Sequence, residues 1–314
     1  MSLRCSDEAE LRDDPMLGTA PPQRDWLLVE HPGPWPVTAP FGADLSTALL
    51  RELGHPELRT LFIRRHGRDG AADRLTGPRR WYRSHGGRLR TGLWQRPDEL
   101  LASLVPDAGE EHTGPLLLIC AHGVHDLCCA VKGRPVARAL AQRWPEATYE
   151  CSHVGGDRFA PNLLLLPDLT CYAGMSPSEA VTTVESHLAG RVQATRLRGV
   201  AGLHPAEQVA LGVVLERWGP APVTAAAPRL VEQAGTFDTG RWTVDVVGVA
   251  PLPARASVVI DSSRRAEARL TCRATRPTRA LQWDVVSVEP APPRAGSPQV
   301  GSNDPVSRSE RRRG

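Results

Sequence analysis

The sequence predicts an α/β protein built from three folded units that follow one another along the chain. Its 314 residues exceed what one hydrophobic core usually organises, since domains typically hold about 100 to 200 residues. Short apolar strands alternate with amphipathic helices in the first two thirds of the chain, and one helix followed by strands comes after them. We therefore expect an N-terminal α/β domain at 15–111, a second domain at 112–203 and a small C-terminal α+β module at 204–290.

The N-terminal domain follows a polar stretch, 1–14, which predicts a flexible tail. Apolar spacing and turn residues then indicate each element of the domain in order. These elements are a strand at 25–31, a helix at 45–53, a strand at 58–65 and a hairpin at 79–94 that turns at Gly86 and Gly87.

The second domain has the predicted order strand, helix, strand, strand, strand, helix. The first helix is expected to begin at Pro135, so that the cysteines before it lie in a loop. The last helix is predicted from Ser176 and Glu179, which form a capping box, with Pro177 in the first turn. This order gives a mixed sheet covered by helices, which is the arrangement of thioredoxin-like folds.

The C-terminal module begins with an amphipathic helix at 205–219, and a link rich in proline and alanine follows it. Strands are predicted at RWTVDVVGV, ASVVID, EARLTCRA and LQWDVVSVE. From residue 291 the content of Pro, Ser, Gly and Arg cannot support a core, so 291–314 is expected to be a disordered basic tail.

The charge of the chain argues against nucleic-acid partners, and its hydropathy argues against a membrane. Its net charge is +3, and five arginines against two acidic residues in 291–314 account for that excess, so the folded body is near neutral. No apolar run approaches the roughly 18 residues of a membrane span, and the acidic N-terminus does not resemble a signal peptide. We expect a cytoplasmic protein whose seven cysteines are reduced thiols or metal ligands.

Two segments concentrate cysteine and histidine. Segment 120–129, CAHGVHDLCC, holds three cysteines and two histidines, and segment 151–157, CSHVGGD, adds a cysteine, a histidine and an aspartate. No pair of cysteines has the C-x-x-C spacing of a dithiol oxidoreductase. In a thioredoxin-like topology the ends of adjacent strands meet, so the two segments should face each other and form a four-ligand metal site.

The types of residue at this site limit which metals it can bind. Two thiolates with one or two imidazoles suit zinc or an iron–sulfur cluster, and not calcium or magnesium. Structural zinc usually gathers tight C-x₂₋₄-C pairs, whereas Cys120 and Cys129 have C-x₈-C spacing, a wider loop that favours a two-iron cluster over zinc or a metal-free site. Gly155 and Gly156 supply a turn without side chains, which lets backbone amides approach a bulky anionic group.

Long motifs in this region resemble the sucrase/ferredoxin-like family, relatives of the thioredoxin-like [2Fe–2S] ferredoxins. They are CAHGVHDLCC, SHVGGDRFAPNLLLLPDLTCYAG and the N-terminal DPMLGTAPPQRDWLLVEHPGPW, and the resemblance covers roughly 5–200. It implies Cys120 and Cys129 as thiolate ligands and His153 as an imidazole ligand. It also implies a second histidine where this chain has Asp157.

Asp157 is therefore the point at which the chain departs from the family pattern. A carboxylate can bind iron through oxygen, but it adds negative charge and should lower the potential of the centre. Either Asp157 is the fourth ligand, or Cys151 or Cys128 takes its place, or the cluster has been lost.

The remaining histidines and cysteines have simpler interpretations. His122 and His125 are expected either to hydrogen-bond the cluster sulfurs or to hold the loop. Cys171 lies on an apolar strand and Cys272 on a predicted C-terminal strand, so both are expected to be core residues. Cys5 lies in the predicted tail and receives no role.

The predicted function is electron transfer: a [2Fe–2S] centre exchanges single electrons with an unknown redox partner protein. The alternative is a metal-free or zinc-binding thioredoxin-like interaction module without redox activity. Glycoside hydrolysis, which the family name suggests, needs two carboxylates a defined distance apart in a sugar cleft. No carboxylate pair in the sequence stands out for that role, so this activity is disfavoured.

Overall fold

The computed structural model describes residues 3–41, 47–67 and 77–292, so nearly all of the predicted basic tail lies outside the described residues. These ranges contain five α-helices and fourteen strands. None of the helices in the described ranges is long and apolar enough to cross a membrane. The helices are α1 Cys5–Leu11, α2 Thr47–Leu53, α3 Leu127–Arg143, α4 Pro177–Leu188 and α5 Pro205–Trp218.

Ten of the strands form one sheet and the other four form a second sheet. The strands of the first sheet are β1 Asp25–Glu30, β2 Leu58–Arg64, β3 Arg79–His85, β4 Arg88–Trp94, β5 Glu110–Glu111, β6 Leu116–Cys120, β7 Thr148–Cys151, β8 Asn162–Leu166, β9 Thr170–Ala173 and β10 Leu197–Val200. Those of the second sheet are β11 Ala226–Gly235, β12 Gly240–Gly248, β13 Arg255–Ala268 and β14 Thr278–Pro290.

The first two predicted units share the ten-stranded sheet, whose order is β10-β9-β8-β6-β7-β2-β1-β3-β4-β5. They are joined where β2 and β7 pair antiparallel, with Ile63 opposite Cys151 and Arg64 opposite Glu150. The predicted boundary near residue 111 falls between β5 and β6, but both sides contribute strands to the same sheet. Local patterns predicted the individual strands. The pairing of β2 with β7, which joins the two groups of strands, depends on contacts between residues far apart in sequence.

Helices α3 and α4 pack against one face of the middle of the sheet. β6 and β7 are parallel, β8 lies antiparallel on the other side of β6, and β9 follows β8. Leu117 and Ile119 of β6 share a buried core with Val136 of α3 and Val184 of α4. Cys120 lies on the opposite face with Leu116 and Leu118, because side chains alternate along a strand.

Helix α3 begins eight residues earlier than the predicted start at Pro135. Asp126 is its N-cap, and the Asp126 carboxylate accepts a hydrogen bond from the Cys128 backbone N–H at 2.9 Å. Pro135 lies inside the helix, where it leaves the carbonyl of Val131 without an intrahelical donor. Val131 is exposed, so water can satisfy that carbonyl. This early start places Cys128 and Cys129 on a helical turn instead of in a loop.

The N-terminus is not the flexible tail that its polar composition predicted. Residues 5–11 form α1, and Cys5 and Ser6 are buried. Charged contacts hold this helix: Glu8 pairs with Arg269 at 2.6 Å, and Asp7 pairs with Lys132 at 2.8 Å. The polar residues that suggested disorder are therefore the ones that attach α1 to the body.

The C-terminal module is α+β, with α5 packed against the four-stranded antiparallel sheet. Two details differ from the prediction. Strand β11 lies within the predicted link, and β13 ends at Ala268, so Cys272 lies in the loop before β14. The apolar core of this module is continuous with that of the ten-stranded sheet, since Trp242 and Val258 share a cluster with Leu117.

Candidate metal centre

Cys120 and Cys129 meet where the end of β6 contacts the first turns of α3. Cys120 is the last residue of β6, and both side chains are buried. The close approach of α3 to the end of β6 depends on Gly133, because a Cβ at that position would lie 2.1 Å from the Cys120 carbonyl oxygen. A helix that starts directly after the loop and touches the strand end thus brings the two thiols together.

His153 and Asp157 come from the loop between β7 and a short 3-10 helix, Asp157–Phe159. Nδ1 of His153 lies 2.9 Å from Oδ1 of Asp157, and the Cys129 thiol donates to the same oxygen at 3.3 Å. Ligand atoms of Cys120, Cys129 and His153 all lie within 4.8 Å of one another. A second set with the same limit, His125, His153 and Asp157, shares His153 with the first. The structure therefore brings all four predicted ligands into one group.

The charges of this group are coupled. The neighbouring Cys129 thiol, with help from His153, outweighs burial and lowers the pKa of Cys120 to about 5. The pKa of Cys129 rises far above its ordinary value, because its thiol lies beside the Cys120 thiolate. Burial opposes protonation of His153, but Asp157 and Cys120 outweigh it and raise its pKa to about 9. Burial opposes ionisation of Asp157, but His153 outweighs it and lowers the Asp157 pKa.

These residues fit a thiophilic metal group. Nδ1 of His153 is buried and lies 2.9 Å from Oδ1 of Asp157. Loss of the ring proton, which metal binding favours, makes this nitrogen available as a ligand. Two thiols, one imidazole and one carboxylate are donors that zinc and iron–sulfur groups accept.

The two alternative cysteine ligands lie outside this group. Cys151 is opposite Cys120 in the parallel β6–β7 ladder and is fully buried, and burial raises its pKa. Within the described ranges it belongs to neither set of converging ligand atoms. Cys128 contacts Cys5 and Cys272 instead.

The two glycines between His153 and Asp157 both have positive φ, +89° at Gly155 and +79° at Gly156. A Cβ at Gly156 would lie 2.5 Å from the Arg198 guanidinium, whereas a Cβ at Gly155 would meet open space. Gly156 is thus needed both for the turn and for the approach of a buried arginine. The idea that backbone amides of this turn face a bound anionic group stays a prediction.

Two arginines that the sequence analysis did not single out support the loop. Arg198 is 2% exposed and donates to the Gly155 carbonyl at 3.0 Å and to Asn162 Oδ1 at 2.8 Å. Arg59 donates to the His153 carbonyl at 2.8 Å. Arg198 could have been found from the sequence LRGV, where a charged residue interrupts a short apolar strand.

His122 and His125 hold the first loop. The ring of His122 bonds the Pro36 carbonyl through Nε2 at 2.9 Å and accepts the His153 N–H through Nδ1 at 3.3 Å. Burial and the nearby His125 lower the pKa of His122 to about 4, which keeps it neutral. Both its nitrogens contact backbone, so His122 positions the loops rather than facing the thiols. His125 stacks on His153 with ring centroids 3.8 Å apart.

The imidazole side of the centre faces a cavity of about 340 Å³. His122, His125 and His153 line it together with residues from 37–41 and 53–60. The side chain of His153 is 20% exposed, whereas that of Asp157 is 4% exposed and Cys120 and Cys129 are buried. The centre is therefore closed at its thiols and accessible at its imidazoles.

Comparison with known proteins gives one match. A family described as sucrase/ferredoxin-like matches residues 16–199, more than half of the chain, and this range includes every residue of the centre. No curated protein and no solved structure matches the chain.

Proposed function

The chain belongs to the sucrase/ferredoxin-like family, and from that premise we propose that it carries a [2Fe–2S] cluster and exchanges single electrons with a partner protein. The observation that carries the proposal is the convergence of Cys120, Cys129, His153 and Asp157 in one group. Three separate parts of the chain supply these side chains: the end of β6, the first turn of α3 and the loop after β7.

The four side chains have distinct parts in the proposal. Cys120 and Cys129 supply the thiolates, His153 supplies the imidazole nitrogen and Asp157 supplies the fourth ligand through oxygen. When bound, a two-iron cluster supplies a site that gains and loses one electron without breaking a covalent bond of the protein.

The surrounding residues set the conditions for that exchange. Burial of the two thiols excludes water from the sulfur side, which protects thiolates from oxidation. Arg59 and Arg198 place two positive charges behind the loop, offsetting the thiolates and the carboxylate. The partly exposed His153 is the edge at which a proton can exchange with solvent when the charge of the centre changes.

The strand order supports a thioredoxin-like ferredoxin unit around this centre. β7, β6, β8 and β9 lie side by side in that order, with β6 and β7 parallel. The crossover helix α3 starts at the end of β6, and α4 follows β9. Because β6 and β7 are adjacent and parallel, Cys120 at the end of β6 and His153 after the end of β7 lie at the same end of these two strands.

The partner in this proposal is a redox protein that approaches the imidazole edge. Electron transfer needs a short path, and the cavity beside His153 is where the centre comes nearest to solvent. The thiol side offers no comparable access, since Cys120 and Cys129 are each 1% exposed.

Zinc binding in a redox-silent interaction module is the second candidate. It is favoured by one observation: the ligand atoms of Cys120, Cys129 and His153 lie within 4.8 Å of one another, close enough to share a single ion. In this case Asp157 would complete a tetrahedral site, and the protein would be colourless.

The experiment that separates the two is metal and sulfide analysis of the full chain purified without oxygen. We expect about two irons and two acid-labile sulfides per chain, a visible absorption spectrum and a reversible one-electron reduction. Zinc without iron or sulfide, with part of that zinc lost when Cys120 and Cys129 are changed to serine, would support the second candidate and contradict the first.

A further inference from the structure

A second group of cysteines lies apart from the centre described above. Sγ of Cys128 is 3.6 Å from Sγ of Cys5 and 3.3 Å from Sγ of Cys272, and the last two are 3.5 Å apart. Both carboxylate oxygens of Asp126 lie 3.9 Å from the Cys5 sulfur. Ligand atoms of all four residues fall within 4.8 Å of one another.

Disulfide formation does not account for this group. All three cysteines are free thiols, and their sulfurs are well beyond the roughly 2.05 Å of a disulfide bond. Any pairing would also leave the third thiol over. Ordinary apolar packing explains the burial of one cysteine, but not the meeting of three from α1, α3 and the β13–β14 loop at van der Waals contact.

The triangle of sulfurs has the dimensions of a single-ion site. Its centre lies about 2.0 Å from each sulfur, and a zinc ion bonded to thiolates at about 2.3 Å would therefore lie about 1 Å out of the sulfur plane. That position leaves one side for a fourth ligand. An iron–sulfur cluster binds at most two protein thiolates on one iron, so three thiolates need a wider set of sulfurs.

The polar contacts around the Cys128 sulfur favour a thiolate at that position. Ser6 donates from its hydroxyl to the Cys128 sulfur at 3.2 Å. Cys128 also lies in the first turn of α3, where the helix dipole stabilises negative charge.

Asp126 is held in place to act as the fourth ligand. One carboxylate oxygen accepts the Cys128 N–H at 2.9 Å, and the other accepts the Cys272 N–H at 2.6 Å. The residue is 1% exposed. These two bonds orient the carboxylate from both sides while leaving lone pairs free, as outer contacts do for metal-binding carboxylates.

We propose that Cys5, Cys128 and Cys272, with Asp126, form a structural zinc site that ties α1 and the β13–β14 loop to the first turn of α3. Thiolates select zinc over harder cations, and four protein ligands close the site to substrates. Because Cys128 precedes Cys129, the zinc would also anchor the peptide that carries a ligand of the first centre.

The test counts zinc in a chain whose first centre has been removed. In the full chain with Cys120→Ser and Cys129→Ser, loaded with zinc and desalted, we expect about one zinc per chain. Cobalt in place of zinc should give the thiolate-to-metal absorption of a tetrahedral site. Adding Cys5→Ser and Cys272→Ser should remove the zinc and the cobalt band, whereas adding Cys171→Ser should leave both.

Hydrogen exchange can be measured on the chain without substitutions, so the result does not require any variant to fold. A chelator should speed amide exchange in α1 about tenfold or more, and added zinc should restore protection. The proposal is wrong if the double-serine background retains no zinc, or if the zinc survives loss of Cys5 and Cys272. A disulfide among these three cysteines in freshly purified protein, with no metal, would also overturn it. None of these outcomes depends on iron at the first centre.

Discussion

Cys128 and Cys129 are adjacent in the chain, yet their sulfurs belong to two different groups of ligating side chains. Cys129 lies with Cys120 and His153, whereas Cys128 lies with Cys5 and Cys272. Successive residues of an α-helix point about 100° apart, so one helical turn can serve two sites. The first turn of α3 is therefore shared by both candidate metal sites.

Replacement of either thiol of the first centre should abolish the chromophore. Cys120→Ser and Cys129→Ser each substitute a hydroxyl for a buried thiolate ligand, which iron binds poorly. Iron, sulfide and visible absorption should fall to background in both variants. Cys171→Ser is the matched control, since Cys171 is a buried strand cysteine outside both ligand groups, and it should keep all three. Full iron and sulfide in both ligand variants would falsify the assignment.

Asp157→His should still assemble a cluster and should raise its midpoint potential. A neutral imidazole then replaces an anion at the metal, so we expect an increase on the order of 100 mV and a steeper dependence on pH. Potentiometric titration measures both quantities.

Alanine variants identify the fourth ligand. Asp157→Ala should destabilise the cluster more than Cys151→Ala does, because Asp157 contacts both His153 and Cys129. The opposite order, with bleaching in Cys151→Ala and an unchanged spectrum in Asp157→Ala, would make Cys151 the ligand.

Gly133→Ala should destabilise the fold, against the usual effect of this change in a helix. Alanine normally favours a helix interior over glycine by up to about 1 kcal/mol. Here its Cβ would lie 2.1 Å from the Cys120 carbonyl oxygen, so we expect a net loss of about 1 to 3 kcal/mol in the free energy of unfolding. Denaturant unfolding of the metal-free protein measures it. An unchanged or increased free energy would show that α3 and β6 can separate without cost.

The cap of α4 should make part of the stability depend on pH. Hydrogen bonds from the Ser176 backbone N–H and then from Arg196 lower the pKa of Glu179 to about 2, below its ordinary value of 4.5. The unfolded chain then binds the proton more readily, so this contribution is present above about pH 4.5 and is lost as the pH falls through about 2. The free-energy gap between the parent protein and Glu179→Gln should shrink from about pH 5 to about pH 3. A gap independent of pH would mean that the charge does not contribute.

The sequence by itself determined the elements whose signals are local. The hairpin of β3 and β4 turns at Gly86 and Gly87, both with positive φ, and the capping box of Ser176 and Glu179 starts α4. The grouping of Cys120, Cys129, His153 and Asp157 also followed from the sequence, because strand ends and short loops bring such segments together and because the motifs resemble a known family.

Only the tertiary structure decided which cysteine goes where. The burial of Cys5 depends on Glu8 and Asp7 meeting Arg269 and Lys132, and such charge pairs have no sequence period. The early start of α3 depends on a single cap, Asp126, which also bonds the distant Cys272 backbone N–H. Hydrophobic periodicity and residue spacing indicate the local structure of a segment, because they depend on residues close together in the sequence. Contacts between residues more than a hundred positions apart are settled by packing and charge in three dimensions, and these contacts separate the two cysteine groups.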